Sequence, residues 1–132
     1  MSLLLRIGAV LAVFGIGCSA RAATCWVLSD LSGIGYFQGD GYQPQVDRFS
    51  KPLTLRLDGN NSRVGDDLSP LKQIDEFMAV GYYKTDSFVT VETYMVDPTL
   101  GIALYTKAIS AKSVFSNMTG ARTFTGQAEP CR

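Results

Sequence analysis

The chain has 132 residues, 12 basic and 12 acidic, and no histidine. This balance offers no basic footprint for nucleic acid and no polybasic stretch for anionic lipid. It also excludes the chemistry that depends on imidazole: Ser-His-Asp triads, Cys-His pairs and most zinc sites.

The N-terminus reads as a cleavable export signal. Arg6 precedes an uncharged apolar run over 7–17, and Ala20-Arg21-Ala22 supplies small residues where a signal peptidase cuts. The run is about a dozen residues, against roughly 20 for a membrane-spanning helix. Residues 1–22 are therefore expected to leave, and 23–132 to form a single exported domain, periplasmic or secreted, with no transmembrane anchor. Arg6 and Arg21 go with the signal, leaving ten basic against twelve acidic residues and a net charge of −2. A lipoprotein acylated at Cys18 is the alternative, although Gly15 stands where such signals place a branched apolar residue. The mature chain keeps two cysteines, Cys25 and Cys131. In an oxidising compartment they are expected to bond, which requires the two chain ends to lie side by side.

Along the mature chain the hydrophobic period is two. Residues 24–28 (TCWVL) open as a strand ending in a Ser29-Asp30 turn, and 53–57 (LTLRL) alternates cleanly before an Asp58-Gly59 turn. Ser69, Pro70 and the spacing of Leu71, Ile74 and Phe77 or Met78 predict a two-turn helix over 70–76. Three β-rich segments follow, FMAVGYYK, FVTVETYMV and GIALYTKA, separated by short polar connections that favour an antiparallel meander. In the middle segment Glu92 marks the Phe88–Thr90–Tyr94–Val96 face as wet, so the Val89–Val91–Thr93–Met95 face is expected to meet the core. Residues 108–118 read as either a loop or a weak helix, and 122–127 as a last strand. The expected fold is mainly β: a small antiparallel β-barrel or β-sandwich, about six to eight strands in a meander, with one short helix.

Candidate chemistry is sparse. Asp66-Asp67 and Asp75-Glu76 are adjacent carboxylates, but neighbours on a strand point to opposite faces, so neither doublet alone builds a hydrolytic pair. The 58–69 segment has Arg63 and Ser69 where a calcium loop needs Gly and Glu, so it reads as a hairpin turn. No metal or other cofactor is expected.

The segment most suited to function is 32–44, SGIGYFQGDGYQP, in which four glycines lie among Tyr36, Phe37 and Tyr42, with Gln38, Asp40 and Gln43 close by. Glycines let the backbone turn tightly, and tyrosines give rigid contact area with a polar handle. Tyr36, Phe37, Gln38, Asp40 and Tyr42 are thus the candidate binding residues; the competing reading is a strand pair whose rings pack on the barrel. Ser32-Gly33-Ile34-Gly35-Tyr36 resembles the Ser-Gly-x-x-Tyr element of periplasmic inhibitors of C-type lysozyme, which are small exported β-barrels with a disulfide. In that family the element lies mid-chain and runs on into a second aromatic and Lys-Gly, whereas here it lies near the mature N-terminus without that continuation. The resemblance implies that an exported barrel with a Ser/Tyr loop suits an inhibitor. The expected function is a non-catalytic binding or inhibitory module whose partner is another envelope or secreted protein, or a small ligand. The alternatives are a structural subunit of an envelope assembly, presenting the Phe88–Tyr94–Val96 face, and a carboxylate hydrolase.

Overall fold

A computed structural model describes residues 22–66 and 69–132; residues 1–21 of the expected leader, with Cys18, and Asp67 lie outside the described residues. The strands are β1 (Thr24–Phe37), β2 (Pro44–Arg48), β3 (Leu53–Leu57), β4 (Arg63–Val64), β5 (Leu71–Asp75), β6 (Met78–Lys84), β7 (Phe88–Asp97), β8 (Ile102–Ala111) and β9 (Gly120–Pro130). They pair in the order β4-β3-β1-β9-β8-β7-β6-β5, all antiparallel. The two ends of this path meet where the Leu71 N–H donates to the Ser62 carbonyl at 3.1 Å, giving a nearly closed eight-stranded barrel. Closure leaves little open edge, the main hazard of an isolated sheet. β2 stands off this path, pairing with the second half of β1 alone. Among the described residues no helix is long and apolar enough to cross a membrane.

The mainly β barrel and the β6–β7–β8 meander agree with the alternation in the sequence. Leu55 and Leu57 are buried and Thr54 and Arg56 exposed, as their period of two requires. Leu28, Leu31, Leu55, Leu57 and Phe124 are the largest fully buried apolar side chains of the core. Cys25 and Cys131 are bonded, with their Cα atoms 5.3 Å apart, and the Cys131 N–H donates to the Cys25 carbonyl at 3.0 Å. First and last strands are therefore neighbours, as that bond demands.

Three expectations are corrected. The 70–76 segment is a strand, β5, not a helix. Two isolated helical turns are marginal in water, whereas the extended segment pairs with β6 and seals the barrel. Alternation then turns Leu71 inward and leaves Ile74 exposed, although a helix would have buried both. Ser29-Asp30 is not a turn. β1 runs through it as a bulge between Ser29 and Ser32, with Asp30 at φ 52°, a left-handed conformation that aspartate tolerates. The only helical pieces among the described residues are 3-10 turns, the longest at Ser113–Met118.

The third correction concerns β7. Tyr94 and Val96 are buried, whereas Val91 and Met95 point outward and are exposed. The wet-looking face is the core face, because Glu92 is not left to water: it is met by Tyr105 and Lys107 from β8 and by Tyr94 of its own strand. The Phe88–Tyr94–Val96 side is thus unavailable as an assembly surface.

Candidate functional site

Two regions carry groups that could act on a partner. The first is the β1–β2 hairpin anticipated from the sequence. Tyr36 is half-exposed on the outer face of β1, opposite Pro44. Gln38–Asp40 form an exposed 3-10 turn, tied to the barrel by the Gln38 N–H donating to the Thr119 carbonyl at 2.8 Å. Gly41 then takes φ 59° and Tyr42 φ 57°. Glycine suits that geometry; tyrosine does not, and such a residue stores about 1–3 kcal/mol of strain. The Tyr42 N–H donates to the Phe37 carbonyl at 2.9 Å and the Gln43 N–H to the Asp40 carbonyl at 3.1 Å, which fixes the strained turn. The consequence is a Tyr42 ring held outward, 53% exposed.

Phe37 has a different situation. Its ring lies where a Cβ on Gly35 or Gly120 would stand 2.7 Å away, so those two glycines form its cradle, and the Arg122 guanidinium covers it with its carbon 5.2 Å from the ring centre. It therefore braces the hairpin against β9, while Tyr36, Gln38, Asp40 and Tyr42 remain open to a partner. Beside them the sheet's outer face carries Ile34 and Val46, direct cross-strand partners, with Val46 82% exposed. A shallow groove of about 410 Å³ runs along this face between Ser32, Ile34 and Tyr36 on β1 and Ala121, Thr123 and Thr125 on β9.

The free edge of β2 is poorly suited to adding a strand. Because the Phe49 N–H donates to the Leu31 carbonyl, alternation turns Asp47 and Gln45 toward β1, and Pro44, Val46 and Arg48 toward the edge. Proline has no N–H there, and the Arg48 N–H is taken by the Asp47 carboxylate at 2.8 Å. Only Val46 offers a free donor, so recognition on this hairpin falls to side chains.

The second region was not apparent in the sequence. Glu92, Lys107 and Arg122 are successive cross-strand partners on β7, β8 and β9 and face the barrel interior. Two residue pairs along, on the same face, run Tyr94, Tyr105 and Phe124, whose rings stack with centroids 4.6 and 5.5 Å apart. Glu92 Oε1 accepts from the Tyr105 hydroxyl at 3.0 Å and lies 2.8 Å from Lys107 Nζ; Oε2 accepts from the Tyr94 hydroxyl at 3.3 Å. Arg122 in turn donates to Asp47 on β2 at 2.9 Å. A charged ladder thus lies on an aromatic one. Its trace in the sequence is a charged residue two positions from an aromatic on three neighbouring strands: Glu92/Tyr94, Tyr105/Lys107 and Arg122/Phe124. It becomes visible once the register is known.

Burial, followed by the phenol of the other tyrosine and the Glu92 charge, pushes Tyr94 well above the ordinary phenol range; burial and then Glu92 push Tyr105 the same way. Both hold their protons where the unfolded chain loses them, near pH 10. The unfolded state then binds fewer protons, so stability present below about pH 10 falls as pH rises beyond it, approaching about 2.7 kcal/mol per pH unit for two such groups. Denaturant midpoints measured across this range should fall steeply for the parent, and Tyr94→Phe should remove about half of the slope. An unchanged slope would place the alkaline loss elsewhere.

Among the described residues, no group of three His, Cys, Asp or Glu side chains gathers to hold a metal ion. Asp75 and Glu76 lie exposed at the β5–β6 turn. The chain as a whole matches no protein family, no characterised protein and no solved structure, so the five-residue likeness to lysozyme inhibitors has no wider match beside it.

Proposed function

We propose that the protein is an exported, non-catalytic binding module that recognises another envelope or secreted protein through the β1–β2 hairpin, acting on it as a ligand or inhibitor. The observation that carries this reading is Tyr42: a bulky residue in a left-handed conformation, fixed by the hydrogen bonds around it, with its ring directed to solvent. Strain of this kind gathers where a binding geometry is pre-set. Tyr36, Ile34 and Val46 extend the surface with apolar area, and Gln38 and Asp40 give it a polar rim, the composition of a recognition patch. The barrel behind it supplies rigidity, so little ordering is left for the moment of binding.

The test uses oxidised residues 23–132 as bait against an envelope extract of the source and a panel of secreted hydrolases. A stoichiometric partner is expected, with its affinity reduced about a hundredfold or more in Tyr36→Ala/Tyr42→Ala, since aromatic anchors dominate such interfaces. Both positions are solvent-facing, so the double variant should retain the parent's melting temperature. Equal recovery by the two baits would remove the hairpin from recognition.

A further inference from the structure

The Glu92–Lys107 pair is not sealed inside the barrel. A pocket of about 110 Å³ reaches it between β5, β6 and β7, lined by Gly81, Tyr82, Tyr83 and Thr90 together with Glu92 and Lys107. Glu92 is 18% and Lys107 29% exposed along their side chains. The geometry points to a neutral saccharide as the ligand of this pocket, with vicinal hydroxyls of one sugar seated on the Glu92–Lys107 pair and its ring against Tyr83.

The argument is one of unused hydrogen-bonding capacity. A carboxylate has about four acceptor positions and an ammonium three donors. Glu92 Oε1 receives two donors, but Oε2 receives only the Tyr94 hydroxyl, at 3.3 Å. Among the described residues Lys107 Nζ meets Glu92 alone. One acceptor position and two N–H groups therefore stand side by side at the pocket. A ligand anion would be attracted by Lys107 and repelled by Glu92, and a ligand cation would meet the reverse. A hydroxyl donates to one and accepts from the other without adding charge, and adjacent hydroxyls do so twice.

The walls fit the same chemistry. Tyr83 shares the face of β6 that carries Gly81, opposite Glu92 and Thr90, is 55% exposed, and its ring suits the apolar C–H surface of a sugar; Tyr82, its strand neighbour, turns to the outer face. Thr90 adds a further hydroxyl to the lining. The volume is well below the roughly 300–1,000 Å³ of drug-sized sites, so the pocket takes one sugar unit, as a monosaccharide or the end of a longer glycan. This site is separate from the β1–β2 hairpin and does not depend on its role.

The experiment is a ¹H–¹⁵N titration of the oxidised mature chain with glucose, galactose, mannose and N-acetylglucosamine and their disaccharides. At least one should give saturable shifts centred on Gly81, Tyr83, Thr90, Glu92 and Lys107. Tyr83→Ala, an exposed substitution that leaves the core intact, should weaken that binding about tenfold, and Tyr36→Ala/Tyr42→Ala should leave it unchanged. Absence of such shifts with every sugar overturns the assignment. So do shifts indifferent to Tyr83→Ala, or the same saturable response to sodium acetate or methylammonium, which would make the site one for ions.

Discussion

Replacing Cys25 by Ser, in company with Cys131→Ser to avoid a stray thiol, is expected to lower the melting temperature by roughly 15–20 °C. The bond joins residues 106 positions apart, so it closes nearly all of the described residues into one loop. In the chain-entropy account a loop of that size restricts the unfolded ensemble by about 4–5 kcal/mol, a large part of the roughly 5–15 kcal/mol by which small domains are stable. The native structure itself is little changed by removing it. The β1–β9 ladder already runs as far as Trp26 opposite Pro130, and the backbone bond from Cys131 to Cys25 does not need sulfur. Far-ultraviolet circular dichroism should therefore look native below the lowered midpoint. Thermal melts of parent and double variant, each at several scan rates, check the prediction. Coincident midpoints would mean that the ladder alone fixes the chain ends.

What the sequence discloses about this fold is local. The β6–β8 meander is legible because Thr85-Asp86-Ser87 and Asp97-Pro98-Thr99-Leu100 interrupt long alternating runs, and no tertiary partner is needed to see it. β5 is misread for the opposite reason. Ser69-Pro70 and the Leu71–Ile74 spacing are sound helix signals, overruled by the Ser62–Leu71 contact that closes the barrel, and no local pattern carries that contact. β7 is inverted by a single charge. Glu92 looks like a mark of solvent until Tyr94, Tyr105 and Lys107 are placed around it. The hairpin was found from its glycines and aromatics, but the division between Phe37 as brace and Tyr36 and Tyr42 as open rings depends on Gly120 and Arg122, more than eighty residues away. Periodicity names the faces of a strand; the partners of a polar residue decide which face is inside.

The second large effect concerns that inverted face. Lys107→Met is expected to destabilise the protein by about 2–3 kcal/mol, and adding Glu92→Gln to recover most of the loss, to within about 1 kcal/mol of the parent. Removing the ammonium leaves a carboxylate in the barrel with its charge unpaired. A fully buried pair broken in this way loses about 3–5 kcal/mol, and the partial exposure of both groups reduces the figure through solvent screening. The amide oxygen of glutamine still accepts from the Tyr105 hydroxyl, and its NH2, standing in place of the second carboxylate oxygen, can donate to the Tyr94 hydroxyl oxygen, so the double variant keeps polar partners for the aromatic ladder while discarding the charge. Glu92→Gln alone should cost about 1 kcal/mol, less than Lys107→Met, because Lys107 is the more exposed member and can turn its ammonium to water. Urea denaturation of the parent, both single variants and the double completes the cycle, and the expected coupling is favourable and larger than the cost of the milder single change. A double variant as unstable as Lys107→Met would assign the loss to the packing of the lysine stem. In that case the stacked tyrosines, not the ion pair, would be what keeps Glu92 inside the barrel.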